Sequence, residues 1–512
     1  MVAVVLSAAA FFAILLIALL SVIPFRSETA RMKLVAVLAD RLDSQVQLDS
    51  LQLRVLPRLR AEGTGLTIRH KGRTDVPPLI SIRSFSVEGG VMPLLRKHVS
   101  LVTLDGLEIK IPPRDRDHND DQPEPDEQAK NEDFGRTFVI DTLVTSDATL
   151  TIIPRKENKR PKVWAIHDLK MKAVSFDQAM PFEATVTNAI PPGEISTRGS
   201  FGPWGAEDPG QTPLDGTFVF EKADLGVFKG IAGILSAKGT FGGRLEQIEV
   251  HGETTTPEFA LTSVGHPIPL HANYHTVVDG TNGDTILEQI DASFLNTALV
   301  AKGGVIDEPG EPGRRVTLDV TMDKARLEDI LWLAVKTEKP PMTGALQLTT
   351  KLEIPPGDKD VVEKLLLDGK FQIAATRFTD PGIQRKIEEL SKRGSGKVEV
   401  KQATHVTSDF AGAFKLSNGT LRIPSVAFDV PGAVVRLSGT YGLPSERIDF
   451  KGTLFLDAKV SETVTGFKSV LLKMVDPLFK GPNGGSAIPI QISGQRNNPS
   501  FGLDKARVFK RG

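Results

Sequence analysis

The chain lacks cysteine altogether and has few aromatic residues. None of its 512 residues is cysteine, which excludes disulfides, thiolate nucleophiles, zinc–cysteine sites and iron–sulfur clusters. Aromatic side chains make up 6% of the sequence, fewer than proteins that stack nucleic-acid bases usually carry. Basic and acidic residues are balanced at 62 against 63, so the total charge does not favour a polyanionic partner. We therefore expect no nucleic-acid partner.

Motifs of catalysis and metal binding are also missing. No serine lies in a nucleophile-elbow pattern, and RGSGK at 393–397 lacks the first glycine and the final hydroxyl residue of a phosphate loop. His271 and His275 would point to one face of a strand, with no third ligand near them in sequence. We expect no enzyme activity, no cofactor and no metal site; an active site assembled only in space is the alternative.

A long apolar run opens the sequence. Residues 1–25 contain no charged side chain, and an apolar helix of that length spans the hydrocarbon core of a bilayer. We predict an uncleaved transmembrane anchor, because no basic residue precedes the run and no small-x-small cleavage site follows it. A cleaved signal peptide is the alternative. Arg26, Arg31 and Lys33 follow the run, and under the positive-inside rule they favour a cytoplasmic body.

Helical spacing of apolar residues appears at a few places after this run. Residues 26–44 predict an amphipathic helix that packs on the first strands, with a membrane-surface role as the alternative. Its apolar face comprises Ala30, Leu34, Val37, Leu38 and Leu42. Further helices are predicted over 221–235, 323–336, 381–392 and 461–479. Residues 112–135 are charged, contain proline and have no apolar period, and so predict a disordered acidic linker.

Most of the remaining sequence alternates between apolar and polar residues. This period of two is typical of antiparallel strands with one apolar and one wet face. We predict a mainly β protein with an N-terminal transmembrane helix: an elongated, curled, largely antiparallel sheet forming an apolar groove, with a few amphipathic helices. The segments are an N-terminal β segment over 45–111, a repetitive β-groove body over 136–460, and a C-terminal amphipathic helix with closing strands over 461–512. The candidate groove-lining residues are Val316, Leu318, Val320, Leu346, Leu348, Leu352, Leu454 and Leu456.

A motif of glycine, hydroxyl residue, aromatic residue and glycine recurs in these strands. It reads GSFG at 199–202, GTFG at 239–242 and GTYG at 439–442. Glycine inside a strand marks a bulge, a bend or a close approach. We interpret the motif as part of a repeated strand–bend–strand unit. The alternative is that it recurs only because turns of any β-rich protein have this composition.

Four segments, taken in their order along the chain, resemble one family. They are QVQLDSLQLRVLPRLRAEGTGLTI at 45–68, SVEGGVMPLLRKHVSLVTLDGLEIKI at 86–111, GAFKLSNGTLRIPSVAFDVPGAVVRLSGTYGL at 412–443 and IPIQISGQRNNPSFGLD at 488–504. With the apolar N-terminal run and the helix after it, these patterns of apolar, glycine and proline positions are similar to AsmA-like proteins of Gram-negative envelopes. The resemblance covers both ends of the chain well and the middle loosely.

The resemblance implies a single-pass protein of the bacterial inner membrane, with its body in the periplasm. It also implies a bridge-like carrier of phospholipids toward the outer membrane, with outer-membrane or envelope proteins as further candidate partners. A scaffold or assembly factor without lipid carriage is the alternative. The predicted C-terminal helix could dock on a membrane or partner, or pack against the end of the sheet. Its apolar face comprises Val464, Phe467, Leu471, Met474 and Leu478.

Overall fold

A computed structural model describes most of the chain between residues 27 and 508. Within these limits, residues 43, 55–58, 71–76, 91–92, 94–97, 112–138, 153–161, 176, 204, 206–207, 309–312, 396–406, 464–478, 482–483 and 497 are not described. The predicted anchor over 1–25 and the predicted linker over 112–135 lie outside the described residues. So do all five residues on the predicted C-terminal helix face: Val464, Phe467, Leu471, Met474 and Leu478. Between residues 27 and 508, as far as they are described, we find no helix with the length and apolar character needed to cross a bilayer.

The prediction of a mainly β, largely antiparallel protein is confirmed: strands contain 67% of the described residues. The strands are β1 (Ser44–Gln47), β2 (Ser50–Arg54), β3 (Leu59–His70), β4 (Ile80–Gly89), β5 (His98–Ile111), β6 (Val139–Ile152), β7 (Lys162–Val174), β8 (Met180–Ala189), β9 (Pro192–Phe201), β10 (Pro213–Asp224), β11 (Ile231–Ala232), β12 (Ile234–Arg244), β13 (Gln247–Leu261), β14 (Ile268–Val278), β15 (Thr285–Phe294), β16 (Thr297–Asp307), β17 (Arg314–Arg326), β18 (Met342–Ile354), β19 (Leu366–Phe378), β20 (Ser408–Ser417), β21 (Thr420–Val430), β22 (Ala433–Gly442), β23 (Arg447–Leu456), β24 (Ser486–Gln495) and β25 (Asn498–Leu503). The helices are α1 (Ser27–Leu42), α2 (Leu327–Ala334), α3 (Val361–Lys364), α4 (Pro381–Gly394) and α5 (Lys505–Val508).

The chain divides into two compact units. Unit 1 contains the described residues up to Asp224, with Leu235–Glu253 and His275–Thr285. Unit 2 contains Leu225–Ile234, Thr254–Tyr274 and the described residues from Ile286 onward.

Unit 1 begins with helix α1 packed on strands. Ala30, Leu34 and Leu38 are fully buried and belong to the same core cluster as Leu48 and Leu51 of the first β segment. Burial of the i, i+4 and i+8 positions is the expected pattern for one face of a helix lying on a sheet. The helix therefore covers part of the unit 1 sheet.

The strands of unit 1 follow a regular order with one exception. β1 and β2 both pair antiparallel with β3, and β3 continues through antiparallel pairings to β4 and β5. The exception is β5 with β6, which is parallel. From β6 to β10 each strand again pairs antiparallel with the next. A parallel pair needs a long crossover rather than a hairpin, and the connection between β5 and β6 includes the undescribed residues 112–138.

Unit 2 contains an uninterrupted antiparallel meander. Each strand from β16 to β25 pairs antiparallel with the next one in sequence. Bulges interrupt the register on β17 between Met322 and Ala325 and on β19 between Ile373 and Thr376. Such bulges bend a strand and increase its local twist.

Two of the predicted helices differ from the structure. The helix predicted over 221–235 is wrong: β10 continues to Asp224, a short 3-10 turn follows, and Gly230 and Gly233 have φ of +96° and +136°. Glycines at positive φ interrupt a helix. The helix predicted over 323–336 begins only at Leu327, because β17 resumes pairing with β18 after its bulge and extends to Arg326. The prediction over 381–392 corresponds to α4, which the Asp380 side chain caps by accepting from the backbone N–H of Ile383.

Two of the recurring glycines, Gly239 and Gly439, lie close to aromatic rings of neighbouring strands. A Cβ on Gly239 would stand 3.0 Å from the Phe218 ring in unit 1, and one on Gly439 would stand 2.8 Å from the Phe450 ring in unit 2. Two glycine–phenylalanine pairs also lie between β19 and β20. In one pair Gly369 of β19 is opposite Phe414 of β20, and in the other Phe371 of β19 is opposite Gly412 of β20. At Gly239 and Gly439 the motif therefore marks close cross-strand packing, in which the ring covers a backbone that has no side chain of its own. A Cβ on Gly199 would instead stand closest to the backbone of Asp215 and Gly216.

Candidate functional site

One face of the unit 2 meander is lined by apolar side chains arranged in cross-strand rows. Residues directly opposite in an antiparallel pair project from the same face, so the register from β17 to β24 defines each row. Row 1 is Leu318, Leu352, Leu367, Leu416, Leu421, Tyr441, Ile448 and Gly494; row 2 is Met322, Leu348, Phe371, Gly412, Val426, Leu437, Gly452 and Ile490; row 3 is Ala325, Leu346, Ile373, Phe410, Phe428, Val435, Leu454 and Ile488. We call this surface the apolar face.

The candidate groove-lining residues fall at two places on the apolar face. Val316, Leu318 and Val320 lie on β17, and Leu346, Leu348 and Leu352 lie on the adjacent β18. Leu454 and Leu456 lie on β23, where they oppose Val435 and Ala433 of β22. β19 to β22 lie between the two groups. Their apolar residues also belong to the rows, although they were not among the predicted groove-lining residues. The signal for these was present in the sequence, since FKL at 414–416 and VVRL at 434–437 carry the same period of two.

Two helices cover part of row 3 and the pair of Ala433 and Leu456 beside it. Leu327, Ile330 and Leu331 of α2 belong to the core cluster that contains Leu346 and Ile373. Ile387 and Leu390 of α4 pack against the cluster of Phe428, Val435 and Leu456. In consequence Leu346 is 3% exposed and Leu456 is 7% exposed. These two candidate residues, together with Val320 at 6%, are core side chains in this structure.

A buried carboxylate fixes the position of α2. Asp329 is 4% exposed and accepts hydrogen bonds from the backbone N–H of Asn296 at 2.9 Å and from the Thr297 hydroxyl at 2.8 Å. Buried carboxylates are tolerated where their oxygens receive hydrogen bonds. The helix is therefore attached to the turn between β15 and β16 as well as to the apolar cluster.

Rows 1 and 2 are less covered than row 3. The apolar and tyrosine side chains of rows 1 and 2 are half-buried, with two exceptions. Met322 is 9% exposed and Leu416 is 5% exposed. Of the candidate lining residues, Val316, Leu318, Leu348, Leu352 and Leu454 are half-buried. In unit 1, by contrast, the strand residues Leu66, Leu104 and Leu143 are fully buried. Side chains on a sheet face that no second layer covers are typically half-buried, because only neighbouring side chains of the same sheet shield them from water.

The opposite face of the meander is polar. Thr317, Asp319 and Thr321 alternate with the apolar residues of β17 and are exposed. Lys415 and Asp368, directly opposite in register, form an ion pair at 2.7 Å. The two faces therefore differ in chemistry on β17 and at the pair of Asp368 and Lys415.

Burial shifts the ionisation of two phenols in unit 2, those of Tyr274 and Tyr441. Burial raises the pKa of Tyr274 to about 12. Burial, followed by the nearby Glu446 carboxylate, also raises the pKa of Tyr441 in row 1. Both phenols remain neutral over the physiological pH range, so neither adds charge to the surface around it.

No enclosed apolar pocket accompanies the apolar face among the described cavities. A depression of about 550 Å3 opens beside the bulges of β17 to β19, and its lining mixes Leu346 and Phe410 with the charged Asp323, Lys324 and Asp409. Such a lining does not resemble the mostly apolar, few-polar-group wall of a small-molecule pocket.

Comparison of the chain with protein-family models, with curated proteins and with solved structures finds no match. The functional argument therefore depends on the apolar face itself.

Proposed function

We propose that the protein carries phospholipid acyl chains along the apolar face of unit 2. In this proposal residues 1–25 anchor it in the bacterial inner membrane, the body lies in the periplasm, and lipid moves toward the outer membrane. The observation that supports carriage is the half-burial of rows 1 and 2 on eight neighbouring strands. Contiguous apolar surface of this kind normally marks a binding site.

Acyl chains match the chemistry of this surface. They need burial without directional hydrogen bonds, and each methylene removed from water contributes roughly 0.8 kcal/mol. Seven inter-strand steps of about 4.8 Å give each row a length of about 34 Å, which exceeds the ~15 Å that one tail occupies in half of a bilayer core. A lipid tail could therefore lie along a row with its headgroup in water.

Site-specific photo-crosslinking in the full-length protein tests this proposal. A photoreactive side chain replaces Leu318 or Leu437 on the apolar face, and matched variants carry it at Thr317 or Ser438, the preceding or following residue on the polar face. After irradiation in cells, mass spectrometry should find phospholipid adducts from the apolar-face positions only. Adducts at equal yield from both faces, or none from either, would contradict carriage. Protein adducts in place of lipid would favour the assembly-factor alternative.

The location has its own test, because the chain contains no cysteine. Thr317→Cys places a single thiol at an exposed position. A membrane-impermeant maleimide should label it in spheroplasts if the body is periplasmic. Labelling only after lysis would place the body in the cytoplasm, as the positive-inside rule favours.

A further inference from the structure

Three metal-ligating side chains of unit 1 meet at one place. Glu249 and His251 are two residues apart on β13, and His275 lies on β14. Their ligand atoms all lie within 4.8 Å of one another. The imidazole rings of His251 and His275 are stacked, with centroids 4.2 Å apart and planes inclined by 11°.

One buried nitrogen of this cluster lacks a hydrogen-bond partner among the described residues. Nε2 of His275 is buried and has no hydrogen-bond partner among the described residues. A buried nitrogen of this kind costs about 1–3 kcal/mol if nothing satisfies it. The neighbouring cation, Lys238, is engaged by Glu253 at 2.8 Å, and no ion pair or hydrogen bond in the described part of the chain neutralises the Glu249 carboxylate. A cation between the three side chains would satisfy both groups.

We propose that Glu249, His251 and His275 bind a divalent first-row transition metal ion, with Zn2+ as the best fit. Two imidazole nitrogens and one carboxylate oxygen are a donor set that zinc uses, with a fourth position left for water or an external ligand. Glu249 and His251 are exposed and His275 is half-buried, so the fourth position faces solvent. Calcium and magnesium prefer sites made of oxygen ligands alone.

The geometry needs only a small adjustment. Zinc–ligand distances of 2.0–2.2 Å place tetrahedral ligand atoms about 3.3 Å apart, so ligand atoms that lie within 4.8 Å of one another need to close by at most about 1.5 Å. The side chains of Glu249 and His251 are exposed, and rotation about their own torsions can supply this movement. The ion would then join the neighbouring strands β13 and β14.

The pairing of histidines in the fold differs from their spacing in sequence. His275 stacks on His251, whereas His271 is 3.2 Å from the Thr255 hydroxyl through Nδ1. The third ligand that is missing near His271 and His275 in sequence is supplied across the sheet. His271 is therefore a matched control: it is a histidine on the same strand, four residues away, outside the cluster.

Calorimetric titration of the chelator-stripped, full-length protein with Zn2+ tests the proposal. We expect one site with a Kd in the micromolar range or below. His251→Ala and His275→Ala should each abolish it, Glu249→Gln should weaken it about tenfold, and His271→Ala should leave it unchanged. Mg2+ should not compete. If an alanine variant does not fold by circular dichroism, His251→Gln and His275→Gln replace it, because they keep a polar side chain of similar reach.

A spectroscopic measurement separates a real site from loose binding by other histidines. Co2+ in place of Zn2+ should produce visible absorption bands of a low-symmetry, four-coordinate ion, and these bands should vanish in His275→Gln. Retention of the Zn2+ site in both the His251 and His275 variants would overturn the proposal. So would an equal loss of binding in His271→Ala. Neither result would bear on acyl-chain carriage, since the cluster lies on a different unit from the apolar face.

Discussion

Two residues on the same face of β17, Leu318 and Val320, distinguish an open apolar face from a filled core. Leu318 is half-buried in row 1, between Leu352 and Gly303, whereas Val320 is 6% exposed. Full burial of such a side chain contributes about 1.5–3 kcal/mol, so Leu318→Asp should cost about 1 kcal/mol, because the new carboxylate stays hydrated. Val320→Asp places an unpaired charge in the core and should cost on the order of 4 kcal/mol or more.

Thermal unfolding of the two full-length variants measures this difference. At about 2–4 °C per kcal/mol for a domain of this size, Leu318→Asp should lower Tm by a few degrees and Val320→Asp by about 8–16 °C. Leu318→Asp should also reduce the phospholipid recovered with the purified protein, since the carboxylate interrupts row 1. If Leu318→Asp unfolds the protein as strongly as Val320→Asp, the face is sealed and the argument for carriage fails. Thr317→Asp, on the exposed polar face, serves as the neutral control.

Two further predictions concern packing and ionisation in unit 2. Gly369→Ala should destabilise the protein by about 1–3 kcal/mol, because the added Cβ would stand 2.5 Å from a backbone oxygen and 2.9 Å from the Phe414 ring. Gly502→Ala is the control, since nothing lies within 4 Å of its added Cβ. In chemical denaturation its free energy of unfolding should stay within about 0.5 kcal/mol of the parent. The chain has two tyrosines, and the raised pKa values of Tyr274, about 12, and Tyr441 predict that phenolate absorbance rises only above the ordinary pKa near 10. Because each folded-state pKa lies above the unfolded one, the stability they contribute is complete below pH 10 and lost as pH rises toward 12; a normal titration near 10 in the folded protein would contradict the burial of both phenols.

The antiparallel character of the sheet follows from local sequence. Alternation such as Val316, Leu318 and Val320 against Thr317 and Asp319 requires only that successive strand side chains point to opposite faces. The same local argument places an amphipathic helix over 26–44, because the 3.6-residue period needs no knowledge of what it packs on. These features could be read from the chain because they depend on neighbours within a few residues.

Neither the helix ends nor the parallel pairing of β5 with β6 could be predicted from local sequence. The helical apolar spacing begins at Leu327, and the predicted helix extended four residues further, to Asp323. Residues 323–326 belong to β17 instead, because pairing with β18 resumes after the bulge. The parallel pairing of β5 with β6 depends on the path of the connection between them, which no local period encodes. In both cases a partner distant in sequence decided between alternatives that were locally similar.

The sequence by itself determined which side chains share a strand face, and therefore that Leu318 and Leu348 lie on an apolar side of their strands. Only the tertiary structure decided which of these are covered: α2 and α4 cover part of row 3 and the neighbouring pair of Ala433 and Leu456, so Leu346 and Leu456 are core while Leu318 and Leu348 stay half-buried. It also decided that His275 meets His251 rather than His271. The physical reason is that burial and cross-strand contact depend on the register between strands and on the layer above them, and both arise from segments far apart in the chain.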